Sequence, residues 1–421
     1  MYDLQLTPEQ VEMRETIRDF VTREIKPAAL HPARLEPFEK PLLAAALTQA
    51  SQMGLRMLAL PEDAGGAGAD CLTSCIVMEE LGAGDVDIAM ALAHTSELAR
   101  AVFEDLAPEP RKRLLQQFVA DDDCHLAVAA YDPSTQAGWS YHRPLVDDHE
   151  PAPTAVKQSN GDWVINGTVA LAPNAPIAKL IAVDVRTDPK KTGSNGMTTL
   201  LVPRETRGLT VRPQARATGD TRGNDEAIIR WHHGPAAAMA FEDCRVPGDH
   251  VVGKEGQSTL GRGPTAARSI VQIAAVNLGL GRVAYETAVD YARIRRQGGR
   301  NIVEHQSIGG KLADCAIRLE LARNMIWKAA WVLDHPDAQT GSGAELPLHI
   351  VARVYTAQAM HEVTLLAAEC FGGMGVMRDM PLQKYVHDGM VFFHQEDSDD
   401  AAKLRIAEAL AGYERPLAQT A

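Results

Sequence analysis

The chain has 421 residues, 45% hydrophobic and 23% charged, with 42 Lys and Arg against 55 Asp and Glu and a net charge of −13. That length requires two or three domains, or one built in layers. The ordinary globular balance excludes wholesale disorder and fibrous repeats, and the negative charge removes the electrostatic footprint of a general nucleic-acid binder.

Aromatic residues are sparse at 5% and alanine is abundant, which favours helix over an all-β build. The first residues carry early acids and lack the apolar run of a secretory signal. The uncharged stretch Ser269 to Gly281 is too short to span a bilayer, so no membrane span is expected. Six cysteines at 71, 75, 124, 244, 315 and 370 form no C-x-x-C pair and read as free thiols. The expected location is the cytoplasm.

The first predicted element is a helix with Thr7 as N-cap, Pro8 at its first position and Gln10 as the capping-box partner. Val11, Ile17, Phe20, Val21 and Ile25 recur at helical spacing and predict one buried face. Further helical runs cover Leu42 to Met57, Cys75 to Leu81 and Ile88 to Phe103, so residues 1–125 read as a helical domain.

From 126 to 250 the pattern predicts strands. Asn160-Gly161 is a hairpin signal between short runs rich in Val and Ile. Strand-like runs follow at Leu180 to Val185, Thr198 to Val202, Ala227 to Trp231 and Ala238 to Phe241. Residues 251–421 return to helix, with long runs at 268–296, 305–334, 346–371 and 398–413 that predict an antiparallel four-helix bundle. The fold class is therefore mainly α with an inserted β domain.

Gly279-x-Gly281 is half of a dinucleotide fingerprint, yet it lies within an apolar helical run with no preceding strand, so it reads as helix packing. His361-Glu362 does not continue as H-E-x-x-H, and Cys71 and Cys75 lack companion ligands. No metal site is inferred.

Six fragments carry a family resemblance over nearly the whole chain. They are the TPEQ helix start, LPEDAGGAGAD at 60–70, MEELGAGD at 78–85, FEDCRVPGDHVVGKEG at 241–256, VEHQSIGGKLAD at 303–314 and CFGGMGV at 370–376. In that order they resemble the acyl-CoA dehydrogenase family. The resemblance implies an N-terminal helical domain, a central β domain and a C-terminal four-helix bundle, assembled as a homotetramer around FAD. It further implies that flavin and acyl-CoA stack between the β domain and the bundle, that the adenosine end reaches a neighbouring subunit, and that electrons pass to an electron-transferring flavoprotein.

The family's reaction removes the proton α to a thioester while the flavin takes hydride from the β carbon. It requires a carboxylate base in a dry cleft and donors for the enolate-like oxygen. Counting from His387-Asp388, Glu396 falls on the family's base position, with its backbone N–H toward the thioester oxygen. The structural alternative makes Glu396 an acid before a helix, with Ser398 as N-cap and Asp399 and Asp400 complementing the dipole. Asp397 stands where the family has Gly. A second family position for the base falls near Ser269, where there is no carboxylate.

The same resemblance assigns Tyr131, Pro133, Pro173, Arg295, Gln306, Gly372, Gly373, Gly375 and Ser398 to the cofactor. The three glycines would admit the pyrophosphate to a backbone turn, although alone they read as a helix-ending turn. Arg295 and Gln306 match residues that hold the flavin's phosphate and adenosine end across the subunit boundary.

The departures from the family pattern fall on the flavin face. The T-E-P motif is Tyr131, Asp132 and Pro133, and W-I-T is Leu171, Ala172 and Pro173, which removes a covering tryptophan and a donor to flavin N5. The Phe of R-x-x-F-G is Gly298. Glu369 replaces a common Gln near the pyrophosphate, where a carboxylate repels phosphate unless neutralised.

These features imply an FAD-dependent acyl-CoA dehydrogenase-like oxidoreductase. Two alternatives stand beside it: a divergent flavin enzyme of nitroalkane oxidase or monooxygenase type, and a non-catalytic partner subunit of a heteromeric dehydrogenase.

Overall fold

The computed structural model describes residues 5–31, 42–130, 152–191, 196–212, 232–258, 260–261, 263–337, 346–377, 379–394 and 399–412. The N-terminal helices are α1 (Pro8–Phe20), α2 (Lys26–Ala29), α3 (Ala44–Gln52), α4 (Cys71–Gly82), α5 (Val86–Asp105) and α6 (Pro108–Ala120). Thr7 and Gln10 form the predicted capping box, each side chain accepting the other's backbone N–H. A π-type stretch, Val21–Ile25, separates α1 from α2. Ile17, Val21 and Ile25 are buried, while Val11 and Phe20 lie at the margin of that face.

The strands are β1 (His125–Ala129), β2 (Thr154–Lys157), β3 (Trp163–Pro173), β4 (Ala178–Arg186), β5 (Met197–Pro203), β6 (Leu209–Arg212), β7 (Ala236–Val246) and β8 (Val251–Val252). They form one sheet in the order β6-β7-β3-β2-β4-β5-β8, with β1 pairing parallel to β4. The Asn160-Gly161 turn joins β2 to β3, with Lys157 opposite Trp163. The predicted strand at 227–231 lies outside the described residues. β1 and β6 are additions to the strands read from the sequence.

The C-terminal helices are α7 (Pro264–Ile294), α8 (Gln306–Asp334), α9 (Leu348–Cys370), α10 (Leu382–His394) and α11 (Asp399–Ala411). A small hairpin of β9 (Arg296–Gln297) and β10 (Arg300–Asn301) joins α7 to α8. The bundle differs from expectation in its fourth member. Helix α10 packs on both α9 and α7, whereas the main contact of α11 among the described residues is with α9, through Ala402 against Ile350 and Val354. The physical reason is amphipathicity: α10 buries Leu382, Tyr385, Val391 and Phe392, a broader apolar face than α11 offers.

Helix α7 is the spine of the molecule, buried by α4, α5, α8 and α9. Gly279 is where α4 comes closest: a Cβ there would lie 2.1 Å from the Glu79 carbonyl oxygen. The half fingerprint is thus a helix-crossing site, and Gly281 likewise makes room for the Met360 sulfur. Beside the crossing, Arg282 pairs with Glu79 at 3.1 Å and Glu80 at 2.7 Å, and Arg323 of α8 reaches Glu79 at 2.8 Å. Asp334, the last residue of α8, accepts the N–H groups of Cys71 and Leu72 at the start of α4 and pairs with Arg268 of α7 at 2.9 Å. No helix among the described residues is long and apolar enough to cross a membrane.

Candidate active site

Two clefts concentrate the candidate residues. The first, about 410 Å³, opens between the sheet and the helices. One wall is the end of β3, Thr168 to Leu171 with Pro173; the other combines His94 and Leu98 of α5 with Thr265, Ser269, Ile270 and Ile273 of α7. The α5 and α7 residues recur at three- and four-residue steps, so each helix presents a single stripe to the cleft.

Pro173 closes β3 opposite Ala236 and brings no N–H to the wall. The next residue, Asn174, is fully buried at a left-handed φ of 62°. Its side-chain amide donates to the Ala91 carbonyl at 2.9 Å and the Leu126 carbonyl at 3.2 Å, tying the strand end to α5 and β1. Asp184, also at the cleft, accepts from the Thr199 and Ser258 hydroxyls, each at 2.6 Å. The wall is therefore rigidly supported. Ser269 lies within it, and no carboxylate stands at that helical position.

His94 is a wall residue that no motif singled out. Burial alone pushes its imidazole down to about 4, so the ring is neutral near pH 7. Its sequence context, MALAHTSEL, is that of a core helix, and only the packing of α5 against the cleft distinguishes it from a buried structural histidine.

The second cleft, about 670 Å³, lies where α7, the β9–β10 hairpin, the start of α8 and the end of α9 meet. Arg295, Gly298, His305, Ser307, Glu369, Gly372 and Gly373 are on its walls. Arg295 is exposed there, whereas Gln306, the first residue of α8, is exposed beside the cleft without lining it. Gly298 and Gly299 turn the hairpin at φ values of 62° and 84°, a conformation that suits glycine and would strain the aromatic residue of the family pattern.

The glycine turn divides in two. Gly372 sits at φ 57°, and a Cβ on Gly372 or Gly373 would meet nothing within 4 Å, so both leave open backbone at the cleft. Gly375 differs from expectation: a Cβ there would lie 2.4 Å from the Ala368 carbonyl, so its small size serves packing against α9. Glu369 does not stand as an isolated anion, because the Lys311 ammonium of α8 is ion-paired with it.

Tyr131, Pro133, Glu396 and Ser398 lie outside the described residues. The last two belong to the segment between α10 and α11. Within α10, Lys384 and Asp388 form a buried ion pair at 2.7 Å, and His233 lies within hydrogen-bonding distance of the Asp388 carbonyl at 2.9 Å, a contact that ties the helix to the segment before β7.

The chain thus combines a helical domain, a central sheet and a C-terminal bundle, with one cleft at the sheet–helix junction and another at the bundle's end. The chain matches the Acyl-CoA dehydrogenase, N-terminal domain over residues 7–122, the middle domain over 146–227 and the C-terminal domain over 267–411. It is 29% identical over 411 residues to an acyl-CoA dehydrogenase of Bacillus subtilis, covering 97% of this chain and 100% of that one.

Among solved structures, butyryl-CoA dehydrogenase from Megasphaera elsdenii superposes with a TM-score of 0.80 at 22% identity, over 97% of this chain and 100% of that one. The prolyl acyl carrier protein oxidase AnaB gives 0.77 at 20% identity, over 96% and 100%. The chain belongs to the acyl-CoA dehydrogenase family as a divergent member.

FAD is the cofactor of this family, and the residues present fit it. The second cleft offers exposed Arg295, a neutralised carboxylate and open glycine backbone, a donor set suited to phosphate. The first offers the end of β3 opposite a helical wall.

Proposed function

We propose that the chain is an FAD-dependent dehydrogenase that introduces an α,β double bond into an acyl-CoA thioester. The observation that carries this reading is the position of the first cleft, between the end of β3 and the α5–α7 wall. Bound FAD supplies the two-electron acceptor for hydride from the β carbon. The Glu396 carboxylate takes the α proton, and its backbone N–H donates to the thioester oxygen, stabilising the charge that develops as the proton leaves. Pro173, Leu171 and the β3 end would face the flavin ring; Arg295, Gly372 and Gly373 would hold its phosphates and adenosine end, with Tyr131, Pro133, Gln306 and Ser398 as further contacts.

Self-association belongs to this reading. Ile294 at 78% and Val376 at 69%, with Ile317 and Leu321 of α8, are large apolar side chains left exposed on the single chain. A homotetramer that covers them also completes the cofactor site, with an electron-transferring flavoprotein as acceptor and the cytoplasm as the setting.

A second reading rests on Pro173. Without a donor toward flavin N5, oxygen chemistry of the nitroalkane oxidase or monooxygenase type is favoured over electron transfer to a protein partner. In the non-catalytic reading, the chain instead completes the site of a homologous subunit.

The deciding experiment reconstitutes the purified protein with FAD and mixes it anaerobically with a panel of acyl-CoA thioesters. Dehydrogenation bleaches the flavin band and yields the enoyl thioester. Flavin that binds but reacts only with oxygen supports the second reading, and protein that cannot be made yellow supports the non-catalytic one.

A further inference from the structure

The first cleft carries polar side chains that its own walls do not satisfy. His94 of α5 and Thr265 and Ser269 of α7 line it, and none has a hydrogen-bond partner among the described residues. Around them the wall is apolar: Leu98, Ile270, Ile273, Ala129 and Leu260. The cleft thus combines an aliphatic floor with a neutral imidazole and two hydroxyls on one side.

A plain alkyl chain placed against such a wall removes water from His94 and returns nothing. Leaving a desolvated donor or acceptor unmatched costs more than an ordinary hydrogen bond contributes, and sites built to bind a hydroxyl reject the analogue lacking it. A charged group matches no better: among the described residues the lining offers no Lys or Arg, and its carboxylate, Asp184, already accepts the Thr199 and Ser258 hydroxyls. The complementary partner is an uncharged group that both donates and accepts.

We propose that His94 is a specificity-determining residue and that the acyl group taken by this cleft bears a hydroxyl or carboxamide, which hydrogen-bonds the His94 imidazole with Thr265 and Ser269 as neighbours. This inference rests on the acyl-CoA reading above and deepens it, by naming the class of acyl group. His94 takes no part in proton or hydride transfer. It binds a substituent of the acyl chain and thereby selects the substrate.

The test uses the FAD-reconstituted full chain with hexanoyl-CoA, its counterparts hydroxylated at the terminal or penultimate carbon, and the corresponding terminal carboxamide. Dissociation constants are measured by calorimetry, and flavin bleaching is followed separately under anaerobic conditions. The expected result is binding of at least one hydroxylated or amide-bearing thioester about tenfold or more tighter than hexanoyl-CoA. The preference disappears in His94→Leu and is largely retained in His94→Gln, which keeps a donor and an acceptor. Should His94→Leu fail to fold, His94→Phe takes its place, with melting temperature and bound flavin as controls.

Equal binding of plain and polar thioesters by the wild type overturns the inference. So does a preference that His94→Leu or His94→Phe leaves intact, or binding of no thioester at all. The two readings separate cleanly: bleaching by all thioesters without preference removes this inference and leaves dehydrogenation standing. Selective binding without bleaching under any condition does the reverse.

Discussion

The Lys311 ammonium and the Glu369 carboxylate, 58 residues apart, are ion-paired between α8 and α9 at the edge of the second cleft. The pair cancels a charge that would otherwise oppose a phosphate. Glu369→Gln leaves Lys311 free to meet the cofactor, so FAD should bind several-fold more tightly at low salt, and the gain should shrink as salt rises. Lys311→Ala exposes the carboxylate and should weaken FAD by a similar factor. Titration of the apoprotein with FAD, followed by quenching of flavin fluorescence, measures both; unchanged affinity in both variants would separate this pair from the pyrophosphate.

Pro173 ends β3 without an N–H at the cleft. Pro173→Thr restores a hydroxyl and a backbone donor at a strand end that the Asn174 amide holds in place. The expected outcome is an altered flavin reduction potential or a several-fold change in reoxidation by oxygen, with melting temperature nearly unchanged. Identical potential and reoxidation would mean that another residue faces flavin N5.

Glu396→Gln preserves size but cannot accept the α proton at neutral pH. The reductive step should slow by about a hundredfold or more, while thioester binding survives through the backbone N–H. Stopped-flow bleaching of the flavin checks this, and a variant as fast as wild type would move the base elsewhere, with Asp397 and Asp132 the next carboxylates to replace.

Gly279→Ala tests the helix crossing. Its Cβ would approach the Glu79 carbonyl oxygen to 2.1 Å and the Ala83 nitrogen to 2.8 Å, both backbone atoms that cannot rotate away. The helices must separate, at an expected cost of about 2–3 kcal/mol, and the adjoining Arg282 pairs must stretch. Thermal unfolding should show a drop of several degrees; an unaffected melting temperature would contradict the packing described.

His125 of β1 is 3% exposed, and its pKa is depressed from the ordinary value of 6.5 to about 4, chiefly by burial and secondarily by the Arg56 charge. Its folded pKa lies below its unfolded one, so the unfolded chain binds the extra proton between those values. Stability is therefore complete above about pH 6.5 and declines as pH falls toward 4, by roughly 3 kcal/mol from this residue. His94 and His349, also pushed down to about 4 by burial, act in the same direction. Melting temperatures across this range should fall with acidification and fall less in His125→Gln; a slope unaltered in that variant would assign the acid sensitivity to other groups.

Local signals were legible in the sequence where neighbouring residues decide the structure. The Thr7–Gln10 capping box and the Asn160-Gly161 turn each depend on a few adjacent residues, and each is found in the fold; the helical setting of Gly279 was legible for the same reason, although its partner on α4 was not. Features that depend on distant contacts were not legible. Lys311 neutralises Glu369 only because α8 and α9 run side by side, and His94 faces a cleft only because α5, packed on β1, lies across from the end of β3. The choice of α10 over α11 as the fourth bundle member was likewise hidden, since both have helical periodicity and only their burial distinguishes them. Family motifs drew attention to Gly375, whose packing against Ala368 no linear pattern could reveal.

Asn174 carries one more consequence. Its amide is shared among the backbone of α5, the end of β1 and the Thr95 hydroxyl, while its own N–H donates to the Pro235 carbonyl at 2.6 Å. Helix α5 of the N-terminal family domain and the β3 end of the middle one are thereby joined, together with β1, at a single fully buried side chain. The central sheet is not an autonomous lobe hinged on its neighbours. Cleavage of the chain in a surface loop would leave these hydrogen bonds between strand end and helix in place.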